Sequence, residues 1–212
     1  MKLNLYVVTD NKLSNGKSHE EITKEAVAGG ADVIQLRDKE MSSAELFQTA
    51  VRMREICKGK AMFIVNDRLD IALASKANGV HLGQDDLPLN EARRLVPKNF
   101  IIGLSVGSLE EAVRGAADGA DYIAVSPVFS TDSKADAGEG HGIALIEEIK
   151  KALPEIPLIA IGGINENNAG ELINAGLDGV AVISAVVSQQ NIKKAAERLS
   201  KIISEAKYER RS

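Results

Sequence analysis

Eight apolar, β-branched runs recur along this chain, and each ends in a small polar or Gly-rich cluster that a helical stretch follows. The runs are LNLYVVTD, DVIQLRDK, AMFIVND, GVHLGQDD, FIIGLS, DYIAVSP, PLIAIGG and GVAVISA. Strict alternation of strand and helix implies a parallel sheet, because a helix must carry the chain back before the next strand begins. All eight polar clusters are therefore expected at one end of the sheet.

Two architectures suit this alternation, an open doubly wound sheet and a closed barrel. Eight full units in 212 residues without an obvious edge strand favour a single (β/α)8 TIM barrel. No G-x-G-x-x-G motif follows the first run, which argues against a dinucleotide-binding sheet. We expect residues 1–206 to form the barrel domain and residues 207–212 to form a charged tail.

Composition narrows the classes of partner. A net charge of −4 argues against a nucleic-acid or anionic-membrane surface, where a basic excess is expected. A single cysteine, Cys57, excludes an internal disulfide and fits a reducing compartment. No apolar stretch reaches membrane-spanning length, and no signal peptide is evident at the N-terminus. We therefore expect a cytoplasmic protein with no membrane or nucleic-acid partner, and a homo-oligomer remains open.

Capping residues predict where the helices begin and end. Ser18 and Ser108 are predicted N-caps, as is Ser42 or Ser43. Later helices are expected over residues 165–175 and 191–206. The connection from about residue 126 to about residue 142 lacks periodicity, and such long loops often serve binding, so we expect a mobile active-site loop after the sixth strand.

The last two strand ends carry a predicted phosphate site. Gly162 and Gly163 follow the seventh strand, and Ile183 and Ser184 follow the eighth. In barrels of this kind these loops often bind phosphate through backbone N–H groups, and glycine lets an anion approach the backbone. The alternative is that the Gly pair only forms a tight turn.

Carboxylates follow the third and fourth strands. Asp67 ends the third run, and Asp85 and Asp86 end the fourth. Oxygen ligands without Cys or clustered His suit Mg²⁺, which usually binds together with substrate phosphates. The alternative is that each carboxylate merely caps a helix.

The second strand supplies cations. Alternation sends Gln35, Arg37 and Lys39 to one side of the strand, predicted to face the barrel axis, where they need an anion or a carboxylate. The alternative is an outward, solvated rim.

Asn66 and Ser105 could hydrogen-bond a heteroaromatic ring, or each could cap a helix. We interpret His81 as structural, find no catalytic-triad partner for His19 or His141, and reject Cys57 as a nucleophile.

Several motifs, taken together in their order along the chain, resemble the thiamine phosphate synthase family. They are QLRDK at 35–39, VND at 65–67, HLGQDD at 81–86, GLS at 103–105, STDSK at 130–134, IGGI at 161–164 and VISA at 182–185. The resemblance implies a transferase that joins 4-amino-2-methyl-5-hydroxymethylpyrimidine diphosphate to 4-methyl-5-(2-phosphoethyl)thiazole. The products are thiamine phosphate and pyrophosphate, and one Mg²⁺ is implied for each active site.

The resemblance also implies roles for individual residues. The pyrimidine diphosphate is assigned to Gln35, Leu36, Arg37, Asp38, Lys39, Asn66, Ser105 and Lys134. The thiazole phosphate is assigned to Thr131, Asp132, Ser133, Gly163, Ile183 and Ser184. Mg²⁺ is assigned to Asp67 and Asp86 but not to Asp85, and Arg37, Lys39, Ser105 and Lys134 are expected to be catalytic. The family loop often reads P-T-x-T-K, whereas this chain has Ser130 and Ser133 in place of the Pro and the second Thr.

Three other functions remain open from the sequence. A thiazole tautomerase shares the barrel but has a histidine in the sixth-strand loop, where this chain has Ser126 and Pro127. A different phosphate-binding isomerase would need a base for proton abstraction and would leave the acid pair unused. A non-catalytic protein that binds thiamine precursors is the third alternative.

Overall fold

A computed structural model of the chain describes residues 1–130 and 140–210. Its eight strands are parallel and close into a barrel in sequence order, with the first strand paired to the eighth. The strands are β1 Leu5–Val8, β2 Val33–Leu36, β3 Met62–Asn66, β4 Gly79–Leu82, β5 Ile101–Val106, β6 Tyr122–Val125, β7 Leu158–Ile161 and β8 Gly179–Val182. The predicted (β/α)8 TIM barrel is confirmed.

Helices follow the strands as the alternation predicts. They are α1 His19–Ala28, α2 Ser43–Cys57, α3 Leu69–Ala74, α4 Leu89–Leu95, α5 Leu109–Ala117, α6 Gly142–Ala152, α7 Ala169–Asn174, α8 Ser184–Val187 and α9 Ile192–Glu209. Ser18 and Ser42 each form a capping box with the glutamate three residues later, and Ser108 caps α5. The predicted caps are therefore confirmed, and Ser42 rather than Ser43 caps α2.

Two helix boundaries differ from prediction. Helix α7 begins at Ala169 instead of Asn165, because the Asn165 and Asn168 side chains accept hydrogen bonds from backbone N–H groups and hold a turn there. Helix α9 continues past residue 206 to Glu209. Lys207 in this last turn hydrogen-bonds the Asn4 side chain and the Asp178 carbonyl, which ties the end of α9 to the barrel.

The strand side chains form two apolar layers. One layer lies between the sheet and the helices and contains alternate strand residues such as Ile34 and Leu36. The other fills the barrel interior and contains Tyr6, Ile64 and Tyr122. This division is the alternation expected of strands buried on both faces, and it directs residue 35 inward and residues 34 and 36 outward.

The connection between β6 and α6 is described at its two ends. Val128 is fully buried and donates its N–H to the Ile161 carbonyl, while Phe129 donates to the Gly162 carbonyl. The predicted mobile loop is therefore anchored against the end of β7 at this point. Residues 131–139 lie outside the described residues, and with them the predicted ligands Thr131, Asp132, Ser133 and Lys134.

Within residues 1–130 and 140–210, none of the helices combines the length and apolar character that crossing a membrane requires.

Candidate active site

A cavity of about 330 Å³ opens at the carboxyl ends of the strands. Loops from nearly every part of the barrel reach it, as expected for the face where TIM-barrel enzymes hold their active sites. The described residues that line it are Arg37, Lys39, Asn66, Asp67, His81, Gly83, Gln84, Asp85, Asp86, Ser105, Ser126, Pro127, Ile161, Gly162, Gly163, Ile164, Ala181, Val182, Ile183 and Ser184.

The second strand delivers two cations to this cavity. Arg37 and Lys39 both line it, as the alternation predicted. The Arg37 guanidinium lies 3.1 Å from the Asp10 carboxylate, which follows β1 and is nearly buried. Asp10 also accepts hydrogen bonds from the Lys12 and Leu13 N–H groups. This carboxylate holds Arg37 in place at the cavity wall while the guanidinium keeps further donors for a ligand.

The other three residues of the QLRDK motif, Gln35, Leu36 and Asp38, do not line the cavity, and the buried Gln35 side chain lies beneath it. Leu36 packs outward in the layer beneath the helices. Asp38 accepts hydrogen bonds from the Glu40 and Met41 N–H groups and lies 3.1 Å from the Nε2 atom of the buried His19. Burial raises the pKa of Asp38, but these hydrogen bonds outweigh burial and leave its pKa below the usual value. The Asp38 carboxylate thus fixes the loop that carries Lys39.

Asp67 and Asp86 come together at the ends of β3 and β4. Their side chains hydrogen-bond each other, and Asp86 also accepts a 2.6 Å hydrogen bond from the Gly83 N–H. Burial is the largest cause that raises the pKa of Asp67 to about 6, and the neighbouring Asp86 charge adds to it. Lys39 and Arg37 oppose the rise. Asp67 itself has a left-handed backbone, with φ of 59°, which is uncommon for a residue other than glycine.

The chemistry of this pair fits Mg²⁺. No group of three or more His, Cys, Asp or Glu side chains that could hold a metal ion is found within the described part of the chain. Asp67 and Asp86 are the carboxylates that contact each other at this wall. Mg²⁺ is usually held by one or two carboxylates, several waters and the phosphates of a substrate. Two carboxylates at close range repel each other when both are charged, and a divalent cation between them would stabilise both anions.

Polar side chains cross the barrel interior beneath the cavity. Ser105 lies 2.9 Å from the Nε2 atom of His81, and the Nδ1 atom of His81 lies 2.9 Å from the Tyr122 hydroxyl. The Tyr122 hydroxyl lies 3.0 Å from that of Tyr6, which accepts a 2.6 Å hydrogen bond from Gln35. Ser105 and His81 line the cavity, whereas both tyrosine side chains are buried. Gln35 therefore contributes to this chain of hydrogen bonds from below.

The ends of β7 and β8 form the opposite wall. Gly163 has a φ of 65°, and a Cβ atom there would lie 2.7 Å from the Phe129 Cβ and 2.8 Å from the Ser130 carbonyl oxygen. Asn168 donates a 3.0 Å hydrogen bond to the Gly163 carbonyl and so orients this turn. Ser184, exposed at the start of α8, lies on the same wall. Backbone without side chains therefore faces the cavity here, a surface to which an anion can come close.

The sequence matches, over residues 5–186, the family described as thiamine monophosphate synthase. The chain belongs to this family. The expected family and the expected enzyme class, a transferase, are confirmed by this match and by the relatives that follow.

Two relatives in the thiamine monophosphate synthase family match along all or nearly all of their length. A thiamine-phosphate synthase of Methanocella arvoryzae is 56% identical over 206 residues, which cover 97% of each protein. One of Methanoculleus marisnigri is 54% identical over 212 residues, which cover 100% of each. The similarity thus includes the strand ends that build the cavity.

Solved structures agree with the family and the fold. The thiamine phosphate pyrophosphorylase of Pyrococcus furiosus is 42% identical, covers 96% of each chain and has a TM-score of 0.88. A 3-hexulose-6-phosphate synthase has a TM-score of 0.70 at 15% identity, so it shares the barrel alone.

Several parts of this family site were not found from the sequence. Asp10 and Asn168 orient the two walls, and His19 is buried between the Thr9 hydroxyl and the Asp38 carboxylate. The sequence showed no catalytic-triad partner for His19, and these two contacts were not predicted from it. A threonine and an aspartate at the end of the first apolar run were the available signal, because that end meets the second strand.

Proposed function

We propose that this chain joins 4-amino-2-methyl-5-hydroxymethylpyrimidine diphosphate to 4-methyl-5-(2-phosphoethyl)thiazole and releases pyrophosphate. One observation carries the proposal: a single cavity has cations and an acid pair on one wall and a glycine turn on the other. The first wall suits a metal-bound diphosphate, and the second suits a monophosphate. Membership of the thiamine monophosphate synthase family supports the same pair of substrates.

The diphosphate would lie against Arg37 and Lys39. Arg37 can bind phosphate oxygens with two parallel N–H groups while Asp10 holds the guanidinium, and Lys39 adds a point charge. Asp67 and Asp86 would hold Mg²⁺, which when bound neutralises charge on the diphosphate and on the leaving pyrophosphate. Lys134, outside the described residues, would add a cation from the loop.

The monophosphate of the thiazole would lie against the Gly163 turn and the start of α8, held by backbone N–H groups and Ser184. Thr131, Asp132 and Ser133 would contribute from the loop, and Ile183 through its backbone. Substrates bound at opposite walls would direct their reactive ends toward each other in the middle of the cavity. Positioning of this kind is among the largest contributions an enzyme makes to a reaction between two substrates.

The reaction would be a dissociative displacement. The bond between the pyrimidine methylene carbon and the diphosphate oxygen breaks, and its electron pair leaves with pyrophosphate. The electron-rich aminopyrimidine supports the methylene cation, and the thiazole nitrogen lone pair then forms the new C–N bond. No protein nucleophile is required. Arg37 and Lys39 stabilise the charge that develops on the leaving group, and exclusion of water prevents capture of the cation.

Purified protein incubated with both substrates and Mg²⁺ tests this proposal. Thiamine phosphate and pyrophosphate should form in equal amounts, and chelation by EDTA should stop the reaction. Binding of both substrates without product would instead support a protein that binds thiamine precursors. Isomerisation of a thiazole carboxylate phosphate without coupling would support the tautomerase alternative.

A further inference from the structure

The hydrogen bonds beneath the cavity join five side chains into one continuous chain. It runs from Gln35 through Tyr6, Tyr122 and His81 to Ser105, with successive separations of 2.6, 3.0, 2.9 and 2.9 Å. Four of the five side chains are buried, and only Ser105 is half-buried at the cavity wall. Because the links are continuous, the direction of one hydrogen bond fixes the direction of the next.

The two phenols remain protonated and can each donate once. Burial is the main cause that raises the pKa of Tyr6 and of Tyr122 above the ordinary value. A phenol that keeps its proton accepts hydrogen bonds from its neighbours and donates a single one.

The direction is set at Gln35. Its Nε2 atom, which can only donate, lies 2.6 Å from the Tyr6 oxygen, so Tyr6 accepts there. In the described part of the chain the Tyr122 oxygen, 3.0 Å away, is the acceptor left for the Tyr6 proton, so Tyr6 donates to Tyr122. Tyr122 accepts from Tyr6 and donates to the Nδ1 atom of His81. His81 therefore carries its proton on Nε2 and donates it to the Ser105 oxygen.

Ser105 is the last member of the chain and faces the ligand. Its oxygen accepts from His81, so its own proton is directed elsewhere. Among the described residues no side chain or carbonyl accepts a hydrogen bond from Ser105, and Ser105 lines the cavity. The proton is thus available to an acceptor atom in the cavity.

We infer that Tyr6, Tyr122 and His81 are positioning residues that fix Ser105 as a hydrogen-bond donor toward the substrate. The substrate atom opposite Ser105 is then an acceptor with a lone pair, such as a ring nitrogen, and not an amino group. This identification of the ligand atom rests on the proposed function. The direction of the hydrogen-bond chain does not, because it is a property of the protein without substrate.

Packing keeps the chain in one arrangement. Gly103 of β5 pairs directly with Tyr122, and a Cβ atom at Gly103 would lie 2.0 Å from the Tyr122 ring. His81 pairs with Gly103 from the other side and stacks on Tyr122, with ring centroids 5.6 Å apart. The missing side chain makes room for the phenol between strands, and the rings have little freedom to exchange partners.

The tautomer of His81 in the substrate-free protein tests the direction of the hydrogen-bond chain. Long-range ¹⁵N–¹H NMR spectra of histidine-labelled protein distinguish a protonated from an unprotonated ring nitrogen, and a His81→Asn variant assigns the signals. Protonation at Nε2 alone is expected for His81. Protonation at Nδ1 would overturn the inference, because Ser105 would then donate to His81 and offer the substrate only its lone pairs.

Two tyrosine variants test successive links of the hydrogen-bond chain. Tyr122→Phe removes the donor to His81, and Tyr6→Phe removes the donor that sets the direction of Tyr122. Tyr122→Phe should give a mixture of His81 tautomers and reduce kcat/KM for the pyrimidine diphosphate about tenfold. Tyr6→Phe should also admit the Nδ1 tautomer, with a smaller loss of kcat/KM because Tyr122 can still donate to His81. A His81 that stays protonated at Nε2 alone in both variants, with unchanged kcat/KM, would contradict the inference.

A double-mutant cycle with Ser105→Ala completes the test. If Tyr122 acts through Ser105, Tyr122→Phe should have little further effect on kcat/KM in the Ser105→Ala background. Fully additive losses would show that Tyr122 acts independently of Ser105 and would overturn the inference. Inactive wild-type protein with an Nε2-protonated His81 would reject the proposed function alone.

Discussion

The Asp67 and Asp86 side chains hydrogen-bond each other at the ends of β3 and β4, although two carboxylates this close repel each other when both are charged. Burial, followed by the Asp86 charge and hydrogen bond, raises the pKa of Asp67 to about 6. The folded protein thus maintains an unfavourable contact at the cavity, as is common where a site is built for a ligand and not for stability.

This contact predicts a pH-dependent stability. The pKa of Asp67 is about 6 in the folded protein against an ordinary 3.8, so the folded state holds more protons than the unfolded chain between these values. The free energy of unfolding should therefore fall as the pH rises through that window, and this loss of stability is complete above about pH 6. Asp67→Asn should therefore be more stable than wild type by about 1–3 kcal/mol at pH 8 without metal.

Urea unfolding in EDTA at pH 4 and pH 8 measures this difference. Asparagine also tolerates the left-handed backbone of Asp67, so the variant adds little strain. A variant that is less stable than wild type at pH 8, or a difference that is the same at both pH values, would contradict the prediction.

Replacing either carboxylate of this pair should abolish most of the activity. Asp67→Asn and Asp86→Asn are each expected to reduce kcat at saturating substrates by about 10²-fold or more if Mg²⁺ binds there. Asp70→Asn is the control, because Asp70 is an exposed carboxylate bonded to Arg68 outside the cavity. Wild-type activity in Asp67→Asn, or an equal loss in Asp70→Asn, would refute the metal assignment.

A side chain at Gly163 should be poorly tolerated, because it would clash with neighbouring residues in addition to straining the left-handed backbone. A Cβ atom at Gly163, with φ of 65°, would lie 2.7 Å from Phe129, whereas Gly59, with φ of 71°, has no atom within 4 Å. Gly163→Ala should destabilise the protein by about 1–3 kcal/mol more than Gly59→Ala, since overpacking adds to backbone strain. It should also raise KM for the thiazole phosphate. Equal unfolding free energies and unchanged KM in the two variants would argue against a tight anion turn.

Cys57 should be unreactive in the folded protein. Burial raises the pKa of its thiol to about 12, and the side chain is 1% exposed at the end of α2. Because the thiolate is the reactive species, Ellman's reagent should label native protein far more slowly than protein in urea. Labelling at the same rate in both conditions would show that α2 does not cover the thiol.

The barrel could be predicted from the sequence because the alternation of strand and helix is a local pattern, and it recurs in eight successive segments of the chain. It also predicted that Arg37 and Lys39 face the cavity, since side chains alternate along a strand. The Tyr6–Tyr122 contact could not be predicted in this way. These residues are 116 positions apart on β1 and β6, and they meet only because closure of the barrel brings opposite strands together.

Pairs that depend on loop conformation were also missed. Arg37 and Asp10 lie after different strands, and their 3.1 Å contact depends on how the turn after β1 is built from Asp10 and the N–H groups of Lys12 and Leu13. Similarly, the asparagines before α7 matched a helix start in the sequence, yet their side chains bind the backbone and delay the helix to Ala169.

A crystal structure with thiamine phosphate, pyrophosphate and Mn²⁺ in place of Mg²⁺ tests most directly how the two walls are divided. Anomalous scattering should locate Mn²⁺ between Asp67 and Asp86, with pyrophosphate bound to it and to Arg37. The phosphate of thiamine phosphate should lie at Gly163 and Ser184. A monophosphate bound at the acid pair, or Mn²⁺ bound elsewhere in the cavity, would contradict the account.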